Sequence, residues 1–182
     1  MRSAVQTAPT LETARLIMRP WGEADIPELI PLIGKREVAA TTLRIPHPYT
    51  HDDAAAFLRF CREVEEENLG VRLAIILREN AKLCGGIGLV AETQHLHAEL
   101  GYWLGVPYWG KGYATEAAQA VVEYGFEVLK LHRIYASIFP HNPASGRVLE
   151  KIGMTREGRL REHVYKWERF YDVEMYGIVK KS

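Results

Sequence analysis

The chain of 182 residues is poor in cysteine, carries no surplus charge and has no long apolar run. Its two cysteines, Cys61 and Cys84, form no Cys-x-x-Cys pair and are too few for a disulfide framework. They read as reduced, buried thiols of a cytoplasmic protein. The 23 basic and 23 acidic residues cancel, which argues against nucleic-acid binding through a global positive field. No uninterrupted apolar run is longer than Leu73–Leu77, far short of the ~20 residues that cross a bilayer, so no membrane partner is expected. The opening residues Met1–Thr10 lack the apolar stretch of a secretory signal and read as a loose leader. With no repeat, low-complexity segment or Gly/Ser linker, residues 11–182 read as one domain. An apolar fraction of 47% and a charged fraction of 25% are ordinary for a globular chain.

What is present is a mixed pattern of strands and helices. Arg15–Arg19 reads as a short strand stopped by Pro20, and Asp25–Ile33 as a helix closed by Gly34. Thr50 and Asp53 have the spacing of a capping box, followed by Ala54, Phe57, Leu58, Cys61 and Val64 at helical intervals. Strands follow at Val71–Leu77, Leu83–Val90 and Glu99–Leu104. The strongest helical periodicity runs through Ala114, Ala117, Ala118, Val121, Val122 and Gly125. Arg133–Phe139 is the next strand. Asn142-Pro143 then opens a helix with an N-cap and a first-turn proline, and Gly153 ends it. Two last strands, about 158–166 and 171–179, pair across a turn near Glu168-Arg169. Antiparallel strands leading into helical crossovers predict an α/β (α+β) domain with a mixed sheet.

One segment carries chemistry of its own. Tyr108-Trp109-Gly110-Lys111-Gly112-Tyr113-Ala114-Thr115 lies between a strand and the clearest helix. Glycines let backbone approach a ligand, and a helix start offers unpaired N–H groups and a positive dipole end. Together they suit a pyrophosphate, with Lys111 adding charge. The dinucleotide fingerprint fails here for want of its third glycine, and no P-loop spacing is present. A plain Gly-rich turn into a core helix is the competing reading.

Trp109-Gly-Lys-Gly112-Tyr-Ala114 resembles the Gln/Arg-x-x-Gly-x-Gly/Ala signature of the GNAT superfamily of acetyl-CoA-dependent N-acetyltransferases. Glu12–Pro20 looks like that family's opening strand, Glu99–Leu104 like its fourth strand, and Asn142–Ser145 with Glu150–Met154 like its second conserved block. The likeness runs in order from about residue 11 to 180 and is nearest to the RimJ/RimL subgroup of ribosomal-protein N-terminal acetyltransferases. It implies a sheet splayed beside the fourth strand and pantetheine bonded to the backbone around Trp103 and Leu104. It also implies a pyrophosphate on the amides of Trp109, Gly110, Lys111, Gly112, Tyr113, Ala114 and Thr115. The co-substrate would be acetyl-CoA, with no metal, and the partner a primary amine such as a protein N-terminal α-amine. A small amine (amino acid, polyamine or antibiotic) and a non-catalytic CoA-binding module are the alternatives. Members of the family often form homodimers. Trp109 stands where the signature has Gln or Arg, which removes one side-chain donor.

Acetyl transfer needs a neutral amine, stabilisation of an oxyanion and a proton for the departing thiolate. An α-amine is freed of its proton more easily than a lysine by ~3 kcal/mol at neutral pH. Glu99 is the candidate base, with an edge-strand salt bridge as its plain alternative. Glu116, on a polar helix face, is a weaker candidate. Ser145, one turn after the Asn142 cap, is the candidate to meet the CoA sulfur, and Asn142 shares the catalytic and cofactor assignment. The tyrosine that many family members place further along this helix is replaced by Leu149. A backbone N–H near Trp103–Leu104 would meet the oxyanion.

His95, His97 and Glu99 alternate and could form a metal triad, although histidines at a strand edge or in the acceptor cleft are the simpler reading. Glu63, Glu65, Glu66 and Glu67 read as a solvated helix end. Tyr102, Trp103, Tyr108 and Trp109 read as packing, with some of them lining the acceptor entrance.

Overall fold

The computed structural model describes residues 9–181. The expected leader, residues 1–10, therefore lies mostly outside the described residues. Eight strands form one sheet in the order β1-β2-β3-β4-β5-β6-β8-β7. They are β1 (Leu11–Glu12), β2 (Leu16–Pro20), β3 (Gly70–Leu77), β4 (Leu83–Glu92), β5 (His97–Leu104), β6 (Arg133–Ile138), β7 (Thr155–Lys166) and β8 (Arg169–Val179). Every neighbouring pair is antiparallel except β5 with β6.

The central strands of the sheet are buried on both faces, as β3 shows. Leu73, Ile75 and Leu77 point into one apolar cluster, while Ala74 and Ile76 point into the other. That is the two-residue alternation of a strand with helices on each side. On the first face pack α4 (Tyr113–Glu127) and α5 (Pro143–Lys151). Their contributions are Ala117, Ala118, Val121, Val122 and Leu149. On the second face lie α1 (Ile26–Ile33), α2 (Arg36–Thr41) and α3 (His51–Glu66), through Leu29, Ile33, Val38 and Ala54.

The expected termini are largely those observed. Thr50 Oγ1 accepts from the Asp53 amide while the Asp53 carboxylate accepts from the Thr50 amide, closing the capping box of α3. Asn142 Oδ1 accepts from the Ser145 amide at 3.2 Å and caps α5. The last turn falls on Trp167 and Glu168, both at positive φ, one residue earlier than the sequence pattern places it.

The sequence pattern registers neither the two-residue β1 nor α2. The six-residue α2 has no cap side chain and too few residues for a periodicity to register. It stands because Val38 and Ala39 are 1% and 0% exposed, so tertiary burial holds what local propensity does not.

Leu149 is fully buried between α5 and the sheet. Leu149→Ala should lower the unfolding free energy by about 2–5 kcal/mol, through lost transfer energy and a residual cavity. A shift of the urea midpoint at unchanged m-value checks this.

Candidate active site

The parallel pair β5–β6 is hydrogen-bonded only over His97↔Arg133, Ala98↔Ile134 and Glu99↔Tyr135. Beyond that point β5 continues to Leu104 and β6 to Ile138 without pairing, so the sheet splays open there. Two cavities flank the opening. The larger, about 540 Å³, lies on the α1–α3 face, and the smaller, about 170 Å³, lies between α2, α4 and α5. Thr42, Tyr102 and Trp103 line both, so β5 forms their common wall.

The direction of the β5 backbone groups follows from one hydrogen bond. The Gly105 amide donates to the Cys84 carbonyl on β4 at 2.9 Å, and the β4–β5 register runs without a shift. By antiparallel alternation residues 99, 101 and 103 turn their peptide groups to β4, and residues 100, 102 and 104 turn theirs to the opening. Of the expected pair, therefore, Leu104 presents its backbone to the opening and Trp103 does not. Tyr102, which the sequence reading assigned to packing, presents its backbone in Trp103's place. The Leu104 carbonyl is already engaged, since Trp109 Nε1 donates to it at 2.8 Å. Trp109 thus fastens the end of β5 to the glycine loop.

That loop enters α4 through two left-handed glycines, Gly110 at φ +73° and Gly112 at φ +82°. Gly112 is the N-cap and has no side chain to satisfy the first amides of the helix, those of Tyr113, Ala114 and Thr115. A side chain at Gly110 would meet nothing within 4 Å, so the space over the loop is open. Arg15 braces this loop from β2's leading edge. Its NH1 donates to the Lys111 carbonyl at 2.9 Å, its Nε donates to Glu116 Oε2 at 2.7 Å, and its guanidinium stands over the Tyr113 ring. Glu116 also accepts from Thr13 Oγ1 and the Arg15 amide. Burial opposes its ionisation, but these hydrogen bonds outweigh burial and hold the carboxyl below its ordinary value. Glu116 is a strut of the loop and not a base. Arg15 gave no sequence signal because its partners are about a hundred residues away.

Across the opening, α5 places Ser145 against Tyr102. The two hydroxyls are 2.6 Å apart, and the Tyr102 hydroxyl also donates to the Ser145 carbonyl at 3.3 Å. Burial pushes the Tyr102 phenol up to about 12, and the Ser145 bond only partly offsets it. Tyr102 therefore keeps its proton throughout the neutral range. The Asn142 amide is occupied at both ends, accepting from the Ser145 amide and donating from Nδ2 to the Thr41 carbonyl at 3.1 Å. It ties α5 to α2 and aims Ser145.

Glu99 lines the larger cleft with a side chain 19% exposed, and its Oε2 accepts from Arg44 NH2 at 2.7 Å. The salt bridge of the plain reading exists, formed by two residues that line the cleft, with Arg44 exposed. The floor is formed by stacked Trp21 and Trp103, ring centroids 6.5 Å apart. Gly86 lets them meet, since a Cβ there would lie 2.8 Å from atoms of both indoles. The rim, residues 39–45, is pinned from the distant β7. Lys166 Nζ donates to the carbonyls of Ala39, Thr42 and Ile45 at 2.6, 2.7 and 2.8 Å, and burial pulls its ammonium down to about 8.

The alternation of His95, His97 and Glu99 does not survive folding. His95 ends a 3-10 turn and Leu96 is left-handed, so the strand begins only at His97. No group of three metal-ligating side chains is found among the described residues. No helix among them is long and apolar enough to cross a membrane.

Residues 15–155 match the family described as the acetyltransferase (GNAT) domain. The chain is 35% identical over 173 residues to the uncharacterized N-acetyltransferase YoaA of Bacillus subtilis, covering 94% of this chain and 97% of that protein. Its fold matches RimL, the ribosomal L7/L12 α-N-protein acetyltransferase in complex with coenzyme A, with TM-score 0.84, 19% identity and coverage of 94% and 98%. It likewise matches spermidine N-acetyltransferase from Vibrio cholerae in complex with CoA and spermine, with TM-score 0.78, 23% identity and coverage of 92% and 96%. A sheet opened beside β5, a glycine-capped α4 and the sequence match over 15–155 lead to one conclusion: the chain belongs to the GNAT family, as an acetyl-CoA-dependent N-acetyltransferase.

Proposed function

We propose that the enzyme moves the acetyl group of acetyl-CoA to a protein N-terminal α-amine by direct attack in a ternary complex. The observation that carries this reading is the shared wall of the two cavities. A donor lying over the α4 amides and an acceptor in the larger cleft would meet at Tyr102 and Trp103, where the strands part. Trp109, Gly110, Lys111, Gly112, Tyr113, Ala114 and Thr115 form the diphosphate cradle in this assignment, with Arg15 holding the loop and adding charge. The backbones of Tyr102 and Leu104 face the pantetheine as an added half-strand. Buried, free Cys61 and Cys84 fit the reducing cytoplasm to which we assign the protein.

Each proton has a residue. As the amine nitrogen bonds to the acetyl carbon, Glu99 takes the amine's proton, directly or through a water. As the carbon–sulfur bond breaks, the Tyr102–Ser145 pair gives a proton to the leaving sulfur and recovers one from solvent. A backbone N–H turned to the opening, that of Leu104, meets the oxyanion. The α-amine is favoured as acceptor because it releases its proton ~3 kcal/mol more easily than a lysine, which asks less of the carboxylate that takes it.

The reading is tested by free thiol released from acetyl-CoA in the presence of N-terminal peptides or small amines. CoA binding with no thiol release in the presence of any amine would leave only a CoA-binding module. Gly112→Asp puts charge and a Cβ at φ +82°, beside Arg15, and should raise the CoA Kd at least tenfold by calorimetry. Glu99→Gln should lower kcat by about 10²-fold below pH 8 at unchanged CoA Kd, and a wild-type pH profile would exclude Glu99 as base. Tyr102→Phe should lower kcat about tenfold. Because Tyr102 stays protonated below about pH 11, the wild-type kcat should show no Tyr102-linked fall before that pH.

A further inference from the structure

The larger cleft contains a cation that the acetyl-transfer scheme leaves unused. Arg72 on β3 lines it. Its guanidinium is clamped between the rings of Phe57 and Phe60, at 5.2 and 4.9 Å from their centroids. Its Nε is buried and bonds to nothing among the described residues. A buried charge is ordinarily paired, because desolvation costs several kcal/mol. The clamp orients Arg72 without neutralising it. Its contact with Cys61 does not neutralise it either, since burial pushes that thiol up to about 11 and leaves it uncharged at neutral pH.

No carboxylate among the described residues forms an ion pair with Arg72. Glu99 is held by Arg44, and Asp53 is held by the amide and hydroxyl of Thr50 in the cap of α3. Arg44 and Arg72 are near enough to repel each other, and Glu99 is the carboxylate between them. Tyr49 lines the same wall, and burial pushes its phenol up to about 12, so it adds a neutral hydroxyl beside Arg72. The pattern is a partly desolvated anion site, two of its walls aromatic, on the acceptor side of β5.

We propose that Arg72 selects the acceptor: the amine that enters this cleft carries an anionic group, a carboxylate or phosphate, close to its nucleophilic nitrogen. This rests on the acetyltransferase reading for the role of the cleft, and it narrows the acceptor class. The nitrogen goes to Glu99 and the anion to Arg72, the aliphatic or peptide body lying on the Trp21–Trp103 floor. A polyamine fits poorly, since it would bring a second cation to an unneutralised guanidinium. The anion could belong to an acidic residue next to a peptide N-terminus or to a small amino acid.

Two matched pairs of amines separate these sources. One is a tetrapeptide amide with aspartate or asparagine at its second position, and the other is the α-amide of glutamate or of glutamine. The carboxylate member of at least one pair should show kcat/KM at least tenfold above its neutral partner, and Arg72→Gln should close that gap while Arg72→Lys keeps part of it. Equal kcat/KM within both pairs for the wild type, or a preference that survives in Arg72→Gln, overturns the proposal. The wild-type comparison stands even if Arg72→Gln fails to fold. Calorimetry of the enzyme holding CoA with the acetylated carboxylate and neutral products gives a readout that needs no turnover. If no amine is acetylated but the carboxylate product binds at least tenfold more tightly, the acetyl-transfer scheme fails and the anion site stands. If all amines react alike, the scheme stands and the anion site fails.

Discussion

Everything in the site follows from the point at which two parallel strands stop pairing. After Glu99 and Tyr135 the backbones of β5 and β6 separate, and each strand is left with peptide groups that have no partner strand. Unpaired backbone groups in a protein interior are costly, so such an edge persists only where something else satisfies it. Trp109 satisfies one of them, the Leu104 carbonyl, and the remaining groups of β5 face the space where a donor molecule would lie. The same separation opens a route through the sheet, placing Tyr102 and Trp103 on the wall common to both cavities.

The surrounding structure is arranged to keep that opening in shape. Arg15 and Glu116 fasten the glycine loop to the start of β2, Asn142 fastens α5 to the end of α2, and Lys166 fastens the rim of the larger cleft to the last hairpin. Each fastening joins segments remote in sequence through a charge-assisted or amide hydrogen bond at the border of a cavity. The Tyr102–Ser145 pair adjoins one of these braces, since the Ser145 amide donates to Asn142 Oδ1. With Leu149 filling the core where a helix tyrosine would stand, the phenolic hydroxyl near the opening comes from the strand instead of the helix.

Much of this was legible in the sequence because it is local. The α3 capping box, the Asn142-Pro143 helix start, the glycine-capped α4 and its apolar face depend on residues within a few positions of one another, and all are present in the fold. The signature around Gly110–Ala114 was legible for the same reason. The short α2 was not, because its stability comes from the burial of Ala39 and from Val38 packing in a cluster with residues of distant strands. That His95 falls outside β5 was not legible either, because the left-handed Leu96 interrupts the extended backbone.

The sequence alone determined the order of most elements and the glycine loop at the head of the α4 helix, which are properties of near neighbours along the chain, set by dihedral preference and periodicity; Glu99, Asn142 and Ser145 were named as candidates by resemblance to the family. Only the tertiary structure decided which backbone groups of β5 face the opening, that Tyr102 meets Ser145, and that Arg72 is set among aromatic rings with no ion pair among the described residues. Those depend on the register between strands and on long-range burial, where one residue's shift reverses a side chain and no local pattern records the outcome.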